Sequence, residues 1–564
     1  MDTKRIVVIG GSAAGPKAAS RARRMDEHAH ITLIQKSAEL SMASCGYPYY
    51  VGGFFDDRDQ LLCSPAGVVR DSRFFWNAKR IETKVKTEVT RVDPVAKEVF
   101  YKNLDTEETG SLPYDKLIIA TGATPRKPPV PGIELDGITT LQSMQDADFL
   151  RKIRDEGIIK KAVVIGGGLI GIETCEALHL AGIDITLVEM LPQLLTFLDL
   201  QMAMLVEGYV RTKANVILEN GVAAFLGENG KLTGVKLQNG TEIPCQLAVV
   251  AIGVVPNVGL ARDMGITIGE RGGIVVNKHM QTNLEDVYAV GDCVETTNLI
   301  TNTQVHAPFG DLANLQGRVA GENAICGNVK EFPGTIQTGI CKVFDYGVGS
   351  TGLSEQNAAR NKITNYEVIY NASLDRPGFM QGKLLVTKLL ADKSSRRILG
   401  AQVLGPGDVG KQIAIWAMAI QNHMTVDQMC NADLPYAPPF SLAIDHSIAS
   451  AHIMQNKLDG IMDGLNAFEL KEKLKKEEKM LLLDVRNPNE FEQMRLGIGE
   501  VLIPLGQLRA RLNELPEDKN IPIVTWCKIS LRGYEAALIL KAHGYTNVKV
   551  LEGGLMAWPF ARER

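Results

Sequence analysis

Short apolar runs that end in glycine or another small residue recur through the first 325 residues of the chain. Four of these runs occupy residues 6–9, 117–120, 162–165 and 249–252. Apolar runs of this length, bounded by turn residues, are typical of parallel strands that are buried on both faces. The pattern therefore predicts α/β domains whose strands each deliver a turn to one edge of a sheet.

A glycine-rich turn, GGSAAG at residues 10–15, follows the first predicted strand and precedes a predicted helix. Such a turn lets the backbone approach a pyrophosphate that lies on the helix N-terminus. Ser12 replaces the middle glycine of the GxGxxG fingerprint, and Gln35 stands where an acid for the ribose is expected. This copy is therefore degenerate, and a plain turn between a strand and a helix is the alternative.

The second glycine-rich turn, GGGLIG at residues 166–171, is a complete fingerprint between a predicted strand and a predicted helix. The next strand ends at Glu189, eighteen residues after Gly171. A carboxylate at that spacing is suited to accept hydrogen bonds from both ribose hydroxyls, and it repels a 2′-phosphate. The sequence therefore predicts a nicotinamide dinucleotide site that favours NADH over NADPH.

A single cysteine, Cys45, lies among small residues in the stretch LSMASCGYPYY at residues 40–50. The next cysteine, Cys63, is outside the CxxC or CxxxxC spacing of an internal dithiol. The redox partner of this sulfur must then be a flavin or a substrate thiol. Such chemistry needs a thiolate, so we expect a pKa below the ~8.5 of a free thiol, lowered by the following helix N-terminus and by Lys36. A small buried structural cysteine is the alternative.

Composition narrows the classes of function. The 564 residues are 45% hydrophobic and 22% charged with a net charge of −4, which gives no reason to expect nucleic acid or an anionic membrane as partner. No run approaches the ~18 apolar residues of a membrane span, and the N-terminus lacks the apolar region of a signal peptide. The nine cysteines follow neither a disulfide nor a zinc spacing. We therefore expect a cytoplasmic protein of several domains with no bound metal.

Five blocks in a fixed order characterise the first 325 residues. Along the chain they are GGSAAG at 10–15, ATG at 120–122, GGGLIG at 166–171, AIGVVPN at 251–257 and GD at 291–292. In this order they resemble the flavoprotein reductases with two dinucleotide-binding domains, such as the glutathione reductase superfamily. The resemblance implies a FAD-binding domain over 1–112 and 247–328, and an NAD-binding domain over 113–246. Asp292 would bind a ribitol hydroxyl of FAD, with a helix N-cap as the alternative.

The cysteine stretch and a later tyrosine indicate one branch of that superfamily. The sequence SMASCGYPYY at residues 41–50 resembles the coenzyme A disulfide reductases and the NADH oxidases and peroxidases, in which a single cysteine is catalytic. Residues 330–455 resemble the α+β dimerisation domain of these enzymes and contain YAPP, which begins at Tyr436. In the family this tyrosine reaches the cysteine of the other subunit of a homodimer. A core tyrosine is the alternative for Tyr436.

One segment departs from the pattern of the coenzyme A disulfide reductases, which typically carry a pair of tyrosines resembling YYPG before the YAPP block. This chain has RPGFMQG at residues 376–382 and no tyrosine there. A missing phenol removes one proton donor to a leaving coenzyme A thiolate. The departure weakens the case for a disulfide substrate and leaves room for a smaller leaving group, such as hydrosulfide.

Another cysteine follows a predicted strand near the C-terminus. Residues 521–526 deliver Cys527 into the loop CKISLRGY, and the surrounding sequence from DVR to LEGG resembles a rhodanese domain over residues 465–564. A ring of backbone N–H groups in such a loop, with Lys528 and Arg532, stabilises a thiolate and then a persulfide anion. The alternative is an inactive rhodanese-like module.

Together these resemblances imply an α/β protein of four parts. The expected parts are two Rossmann-like domains that bind FAD and NAD, an α+β dimerisation domain and a C-terminal α/β rhodanese domain. The linker before the rhodanese domain is expected near residues 456–465.

The residues expected to contact ligands lie in the turns, at strand ends and on the first helix. Those for FAD are Gly10, Ser12, Ala13, Ala14, Gly15, Gln35, Lys36, Ser44, Thr121, Gly122 and Asp292. Those for NADH are Gly166, Gly168, Leu169, Ile170, Gly171, Glu189 and Gly253. Those for substrate are Arg21, Arg23, Arg24, Ser41, Lys528 and Arg532. The three arginines of the first helix are candidates for the phosphates of coenzyme A, and a solvated basic face is their alternative.

A sulfurtransferase loop and a flavin reductase on one chain favour an NADH-dependent reductase of sulfane sulfur. The substrate would be coenzyme A persulfide or another small persulfide or polysulfide, attacked by Cys45 to release sulfide and a thiol, while Cys527 takes or delivers sulfur. The alternatives are a coenzyme A disulfide reductase with an accessory rhodanese domain, an NADH oxidase or peroxidase in which Cys45 forms a sulfenic acid, and a redox sensor without meaningful turnover.

Overall fold

The computed structural model describes residues 3–563, which divide into two compact units. The first unit contains residues 3–192 and 214–335, and the second contains residues 193–213 and 336–563. Both units have the predicted mixture of strands and helices. No helix in the described part of the chain has the length and apolar character needed to cross a membrane.

Residues 3–160 begin the first unit with a glycine-rich turn between a strand and a helix. The strands are β1 (Arg5–Ile9), β2 (His30–Ile34), β3 (Ile81–Lys84), β4 (Thr87–Asp93), β5 (Glu98–Asn103), β6 (Thr109–Pro113), β7 (Lys116–Ile119), β8 (Ala123–Pro125) and β9 (Ile138–Thr139). The helices are α1 (Ala14–Met25), α2 (Tyr47–Gly52), α3 (Ser72–Lys79) and α4 (Met144–Glu156).

Residues 161–335 repeat the motif of strand, glycine-rich turn and helix. The strands are β10 (Lys161–Ile165), β11 (Asp184–Val188), β12 (Asn215–Ile217), β13 (Val222–Glu228), β14 (Lys231–Leu237), β15 (Glu242–Pro244), β16 (Leu247–Val250), β17 (Val254–Pro256), β18 (Val287–Ala289), β19 (Thr296–Thr297) and β20 (Gln304–Val305). The helices are α5 (Leu169–Leu180), α6 (Leu200–Val210), α7 (Gly259–Asp263) and α8 (Gly310–Cys326), of which α6 belongs to the second unit.

Residues 336–563 form an antiparallel domain and then a parallel one. The strands are β21 (Gly339–Val343), β22 (Tyr346–Gly352), β23 (Tyr366–Leu374), β24 (Leu384–Asp392), β25 (Ile398–Gly405), β26 (Gly464–Leu465), β27 (Leu481–Asp484), β28 (Val501–Leu502), β29 (Ile523–Trp526) and β30 (Val548–Leu551). The helices are α9 (Glu355–Arg360), α10 (Val409–Gln421), α11 (Val426–Cys430), α12 (His446–Leu458), α13 (Ala467–Lys475), α14 (Pro488–Gln493), α15 (Leu505–Leu508) and α16 (Leu531–Ala542).

Two parallel sheets organise the first unit. One has the strand order β18-β7-β1-β2-β3, and the other has the order β12-β11-β10-β16-β9. The apolar runs predicted from sequence are the buried central strands of these sheets. Because β18, β7 and β1 are neighbours and parallel, the turns that follow them at Gly291, Ala120 and Gly10 lie at the same edge.

Helices α1 and α8 pack with their backbones in contact. A side-chain carbon at Gly317 would lie 2.4 Å from the carbonyl oxygen of Ala14, and one at Gly321 would lie 2.2 Å from that of Ala18. Neither distance is sterically possible, so glycine is required at both positions of α8. Since α1 begins directly after the first glycine-rich turn, this contact holds α8 beside that turn.

The second unit contains one antiparallel and one parallel sheet. The antiparallel sheet has the order β21-β22-β25-β24-β23, and helices α10 and α12 pack against it. The parallel sheet has the order β26-β30-β29-β27-β28, and α16 packs on its central strands. Between the two domains, α12 runs to Leu458 and β26 begins at Gly464. The connection is therefore residues 459–463, shorter than the predicted linker of 456–465.

Candidate active site

Cys45 lies in a single 3₁₀ turn, Ser44–Gly46, that leads into the short helix α2. The segment before it is fastened to the first glycine-rich turn, because the Ser41 backbone N–H donates to the Gly11 carbonyl at 2.8 Å. Ser41 adopts a φ of 54°, a left-handed conformation that turns the chain sharply before the cysteine. The residue Cys45 is exposed, so the alternative of a buried structural cysteine is wrong.

The N-terminus of α8 lies against the Cys45 sulfur. A side-chain carbon at Gly310, the first residue of α8, would lie 3.7 Å from Cys45 Sγ. A helix N-terminus carries a partial positive charge that favours a nearby thiolate. Sequence reasoning expected this effect from the following helix, which is α2. The structure supplies the contact from α8, about 265 residues later in the sequence.

The charged groups of the chain around Cys45 act against a thiolate. Partial removal from water raises the pKa of the Cys45 thiol, and the carboxylates of Glu173, Asp292 and Asp311 raise it further. The Lys36 ammonium is paired with Glu88 at 2.7 Å on an exposed surface. The expectation that the protein itself lowers this pKa, with Lys36 as the cation, is therefore wrong.

Glu173 and Tyr49 are site residues that the sequence analysis did not identify. Glu173 lies on α5, two residues after the second fingerprint, and burial raises its pKa to about 7. The Tyr49 hydroxyl on α2 donates to Glu173 Oε1 at 3.2 Å. A carboxyl group that titrates near neutral pH, and whose charge raises the pKa of the Cys45 thiol, is suited to move a proton. The only sequence signal was the position of an acid just past the fingerprint.

The first glycine-rich turn has the geometry of a dinucleotide cradle. Gly10 has a φ of 108°, and a side-chain carbon there would lie 2.0 Å from the Ala120 carbonyl oxygen. One at Gly15 would lie 1.8 Å from the Gly10 carbonyl oxygen. The Gly11 backbone N–H donates to Gln35 Oε1 at 2.8 Å. Gln35 thus holds the turn itself, and Ser12, Ala13 and Ala14 lie at the start of α1.

The second turn repeats this geometry with one informative difference. A side-chain carbon at Gly166 would lie 2.3 Å from the Ala251 carbonyl oxygen, and Glu189 Oε2 accepts from the Gly167 backbone N–H at 2.6 Å. A side-chain carbon at Gly168, by contrast, would meet no atom of the described chain within 4 Å. Protein packing therefore does not require glycine at 168. An open backbone at this point fits close approach by a pyrophosphate.

The remaining cofactor positions lie near these turns. Leu169 and Ile170 begin α5, after Gly168 as its N-cap residue. Gly122 and Gly253 have φ values of 66° and 95° and flank the two-stranded sheet of β8 and β17. The Thr121 hydroxyl donates to the Asn257 carbonyl at 2.7 Å.

Asp292 follows β18 at the edge shared with the first turn. Burial raises the pKa of its carboxyl group, while His306, whose Nε2 lies 2.7 Å from the Asp292 carbonyl oxygen, opposes the rise. No helix begins at Asp292, so the N-cap alternative is wrong. The first turn, Thr121 and Asp292 are therefore brought to one edge of a sheet, which is the arrangement that a FAD site requires.

The three arginines of α1 have different surroundings. Arg23 is buried, and its guanidinium donates to five backbone carbonyls at the end of α1 and around α3. Arg21 pairs with Glu322 of α8. Arg23 is therefore a structural residue, and the charge of Arg21 is neutralised, so neither meets the expectation of a free phosphate ligand. Arg24 is exposed.

Tyr436 lies in the loop between α11 and α12 and is 54% exposed. The core-tyrosine alternative is therefore wrong. Two cations hold the loop that carries it: Lys411 Nζ donates to the Phe440 carbonyl at 3.3 Å, and Arg376 donates to the Pro439 carbonyl at 3.2 Å. The departing segment at 376–382 forms a 3₁₀ turn in which Phe379 is 78% exposed.

Cys527 is buried directly after β29, and two charged residues stand beside it. Both terminal nitrogens of Arg532 donate to Glu490 at 2.7 Å, which lowers the pKa of Glu490 to about 2. The pKa of Arg532 is raised, first by Glu490 and in part by the Cys527 sulfur. Arg532 is thus shared between a carboxylate and the sulfur, while Lys528 is exposed at the loop surface.

The loop that holds Cys527 is closed by a second turn. Ser530 has a φ of 86°, a conformation that strains a residue with a side chain, and its hydroxyl donates to the Leu551 carbonyl at 3.1 Å. A side-chain carbon at Gly554 would lie 2.4 Å from the Cys527 carbonyl oxygen and 2.9 Å from the Ser530 nitrogen. The Leu555 N–H donates to the same Cys527 carbonyl at 3.0 Å. Glycine at 554 therefore allows the backbone of this turn to pack directly against the backbone of the Cys527 loop.

Within residues 3–563, no group of three or more His, Cys, Asp or Glu side chains is arranged to hold a metal ion. All nine cysteines are free thiols.

Three protein-family patterns match successive parts of the chain. The pattern described as "pyridine nucleotide-disulphide oxidoreductase" matches residues 4–307, its dimerisation domain matches residues 338–448, and a rhodanese-like domain matches residues 466–560. The chain belongs to the pyridine nucleotide-disulphide oxidoreductase family. The predicted family, fold class and oxidoreductase class are confirmed.

Two solved structures are similar to this chain over nearly its full length, including the part that matches the rhodanese-like domain. The chain is similar to a structure described as a NAD-dependent persulfide reductase from A. fulgidus, with 42% identity and a TM-score of 0.92 over 98% of this chain and 100% of that one. It is also similar to reduced Bacillus anthracis CoADR-RHD, with 35% identity and a TM-score of 0.91 over 99% and 98%. A NAD(P)H coenzyme A polysulfide/persulfide reductase of Pyrococcus horikoshii is 32% identical over 453 residues, which are 80% of this chain and 98% of that protein.

Proposed function

We propose that this protein is an NADH-dependent flavoprotein that reduces the sulfane sulfur of coenzyme A persulfide, or of another small persulfide or polysulfide. The observation that supports this most is the pairing on one chain of a lone exposed cysteine, Cys45, with a closed sulfurtransferase loop around Cys527. The A. fulgidus relative, described as a NAD-dependent persulfide reductase, is similar to this chain over 100% of its own length.

The reaction uses Cys45 as the nucleophile. Its thiolate attacks the outer or the inner sulfur of the persulfide, so that a thiol or hydrosulfide leaves and a persulfide or mixed disulfide remains on Cys45. Bound FAD supplies the two-electron transfer between NADH and this sulfur. For each turnover, one persulfide, one NADH and one proton give one thiol, one hydrogen sulfide and one NAD⁺. The α8 N-terminus at Gly310 favours the thiolate form of Cys45.

Protons at this site are handled by Glu173. The pKa of Glu173, about 7, allows both protonation states of its carboxyl group at neutral pH. Its negative charge raises the pKa of the Cys45 thiol. We assign it the proton that the departing sulfur group takes up, with the Tyr49 hydroxyl holding the carboxyl in place.

Cofactor binding follows from the two cradles. FAD is assigned to the first turn with Ser44, Thr121, Gly122 and Asp292, and NADH to the second turn with Glu189 and Gly253. The carboxylate of Glu189, held by the Gly167 and Leu191 N–H groups, favours a ribose hydroxyl over a 2′-phosphate. Arg24 and Ser41 remain candidates for contacts to coenzyme A.

The dimerisation domain indicates a homodimer. We propose the finer arrangement in which the exposed Tyr436 of one subunit reaches the Cys45 of its partner. A cytoplasmic location stays a prediction, which the nine free thiols support.

A second candidate is reduction of coenzyme A disulfide, which the similarity to CoADR-RHD favours. The exposed Phe379 where those reductases carry a tyrosine pair argues against it. NADH consumption by the purified protein, measured with coenzyme A persulfide, coenzyme A disulfide, oxygen and peroxide, separates the candidates. We expect the persulfide to give the highest rate with one sulfide per NADH. A higher rate with the disulfide, oxygen or peroxide would contradict the proposal.

A further inference from the structure

Glu552, which directly follows β30 in the rhodanese domain, is a buried carboxylate that is held by the dimerisation domain. It is 2% exposed, and its Oε1 accepts from Lys457 Nζ at 2.6 Å. Its Oε2 accepts from the Tyr370 backbone N–H at 3.1 Å. Lys457 is on α12 and Tyr370 is on β23, so both partners lie outside the rhodanese domain. A buried charge is stable only when it is paired in this way.

Lys457 is itself held by residues of the dimerisation domain. Its ammonium donates to the Val368 carbonyl at 2.8 Å and lies 3.1 Å from Glu367 Oε1. Both of these residues belong to β23. Two oxygen partners on β23 therefore hold the cation in place independently of Glu552.

Glu552 is also adjacent in sequence to the turn that closes the Cys527 loop. Gly553 follows it, and a side-chain carbon there would lie 3.5 Å from Tyr370 Cβ. Gly554 comes next, and its backbone packs directly against the Cys527 carbonyl and the Ser530 nitrogen. Three consecutive residues, 552–554, thus connect the dimerisation-domain sheet to the loop that holds the reactive sulfur.

A second hydrogen bond from outside the rhodanese domain holds the C-terminal end of the turn, at Ala557. Gln201, buried on α6, donates from Nε2 to the Ala557 carbonyl at 2.9 Å. The segment from Glu552 to Ala557 is therefore held at both ends by residues that precede the rhodanese domain in the chain.

We infer that Glu552 is a positioning residue for sulfur transfer at Cys527, and that it takes its own position from Lys457 and Tyr370. The inference rests on the proposed sulfur transfer at this loop. Ser530 retains its strained backbone only because the surrounding contacts impose it, and the Leu551 carbonyl and Gly554 are two of those contacts. When the ion pair is removed, both contacts can shift, and the loop from Cys527 to Ser530 loses the conformation that they impose.

The test uses the full-length protein with thiosulfate as sulfur donor and cyanide as acceptor. The Cys527 thiolate takes the outer sulfur of thiosulfate with release of sulfite, and cyanide then removes that sulfur as thiocyanate and restores the thiolate. For Glu552→Gln and for Lys457→Met we expect kcat to fall by about tenfold or more, with KM changed by less than about twofold, because the loop is misplaced while the donor still binds. Lys457→Arg, which keeps the charge, should recover most of kcat.

The matched control is Lys549→Met, which breaks the exposed pair of Lys549, on β30, and Asp463, directly before β26. It should leave kcat unchanged. NADH-linked reduction of coenzyme A persulfide, which uses Cys45, should also be unchanged in every variant. Wild-type kcat in folded Glu552→Gln and Lys457→Met would overturn the inference, and so would an equal loss at Cys45, since that outcome indicates general destabilisation.

A separate measurement keeps the inference testable if the wild-type protein transfers no sulfur from thiosulfate. That result would count against the proposed function of the rhodanese domain. The alkylation rate of Cys527 by iodoacetamide, mapped by mass spectrometry, still reports the loop geometry. We expect it to change severalfold in Lys457→Met and to stay constant in Lys549→Met, and equal rates in all three proteins would overturn the inference.

Discussion

Glu173 is the charged residue that most raises the pKa of the Cys45 thiol, second only to the partial removal of that thiol from water. Two acidic groups that compete for a proton in this way are typical of sites where protons and electrons move together. Replacing Glu173 with Gln removes the charge and keeps the hydrogen bond from Tyr49. We expect the pH midpoint of Cys45 alkylation to fall, so that Cys45 reacts faster at neutral pH.

The control for this experiment is Lys36→Met. Because Lys36 is paired with Glu88 on the surface, its removal should leave the midpoint where it is. The turnover rate of the wild-type protein, measured against pH, should change near pH 7, where Glu173 titrates. In Glu173→Gln this change near pH 7 should be absent or smaller. A midpoint that moves in Lys36→Met but not in Glu173→Gln would contradict this account of the site.

Glu189 should decide between the two nicotinamide cofactors. The wild-type protein is expected to use NADH more efficiently than NADPH, and Glu189→Ala should reduce that preference by about tenfold, the effect of losing ~1.4 kcal/mol of discrimination. The measurement is kcat/KM for each cofactor. Gln35→Ala, at the equivalent place in the first turn, should leave the preference intact. A clear NADPH preference in the wild-type protein would refute the ribose argument.

Cys45→Ser should retain flavin and lose NADH-linked reduction of every sulfur substrate, by about a thousandfold or more, because serine cannot form the covalent sulfur intermediate. Cys63→Ser is the matched control and should keep full activity. Turnover in Cys45→Ser above that of free flavin would exclude Cys45 as the redox residue.

Tyr436→Phe tests the contact between subunits. Loss of one hydrogen bond should cost about tenfold in kcat/KM or less. The effect should appear in heterodimers only at the site where the phenylalanine faces an intact Cys45. An unchanged rate would reduce Tyr436 to a packing residue.

Cys527→Ser should abolish sulfur transfer from thiosulfate. If the two halves cooperate, it should also slow NADH-linked reduction of donors that are too large or too inert to reach Cys45, while coenzyme A persulfide is still reduced in part. Cys326→Ser, at the exposed end of α8, is the control. Unchanged turnover of every donor in Cys527→Ser would show that the two halves work independently.

The stability of the second unit should depend on pH through His446. Burial lowers the pKa of this imidazole to about 4, opposed by Asp445 and Asp375, and its nitrogens pair with Ser373 and Thr387. The unfolded chain therefore binds the proton more readily, so stability is complete above about pH 6.5 and is lost as the pH falls towards 4. At about 1.4 kcal/mol per pKa unit, the loss is about 3 kcal/mol.

Chemical denaturation at several pH values checks this expectation. His446→Gln should be less stable at pH 7.5 but show a shallower decline with acid. His423→Gln, an exposed histidine of the same domain, should decline like the wild-type protein. A wild-type slope in His446→Gln would contradict the assignment.

Local patterns in the sequence predicted the elements that position the chemistry. The turns at 10–15 and 166–171 and the strand before Cys527 follow from short-range rules of periodicity and glycine geometry, and the structure contains them where they were expected. The missed features depend on contacts between distant segments. Glu173 meets Tyr49 only because α5 packs on α2, and Arg23 is buried because carbonyls from around α3 surround it. Neither contact has a signature in the periodicity of one helix.

The glycine contacts between α8 and α1 have a consequence for the rigidity of the redox centre. Gly317 and Gly321 place one backbone directly on another, so no side chain separates the two helices at these positions. The Cys45 sulfur, beside Gly310 at the start of α8, and the glycine-rich turn at the start of α1 are thereby joined through stiff main-chain contacts. Thermal fluctuations should move the sulfur and the turn together, which would keep the reorganisation energy small for electron transfer between the sulfur and a flavin held at the turn.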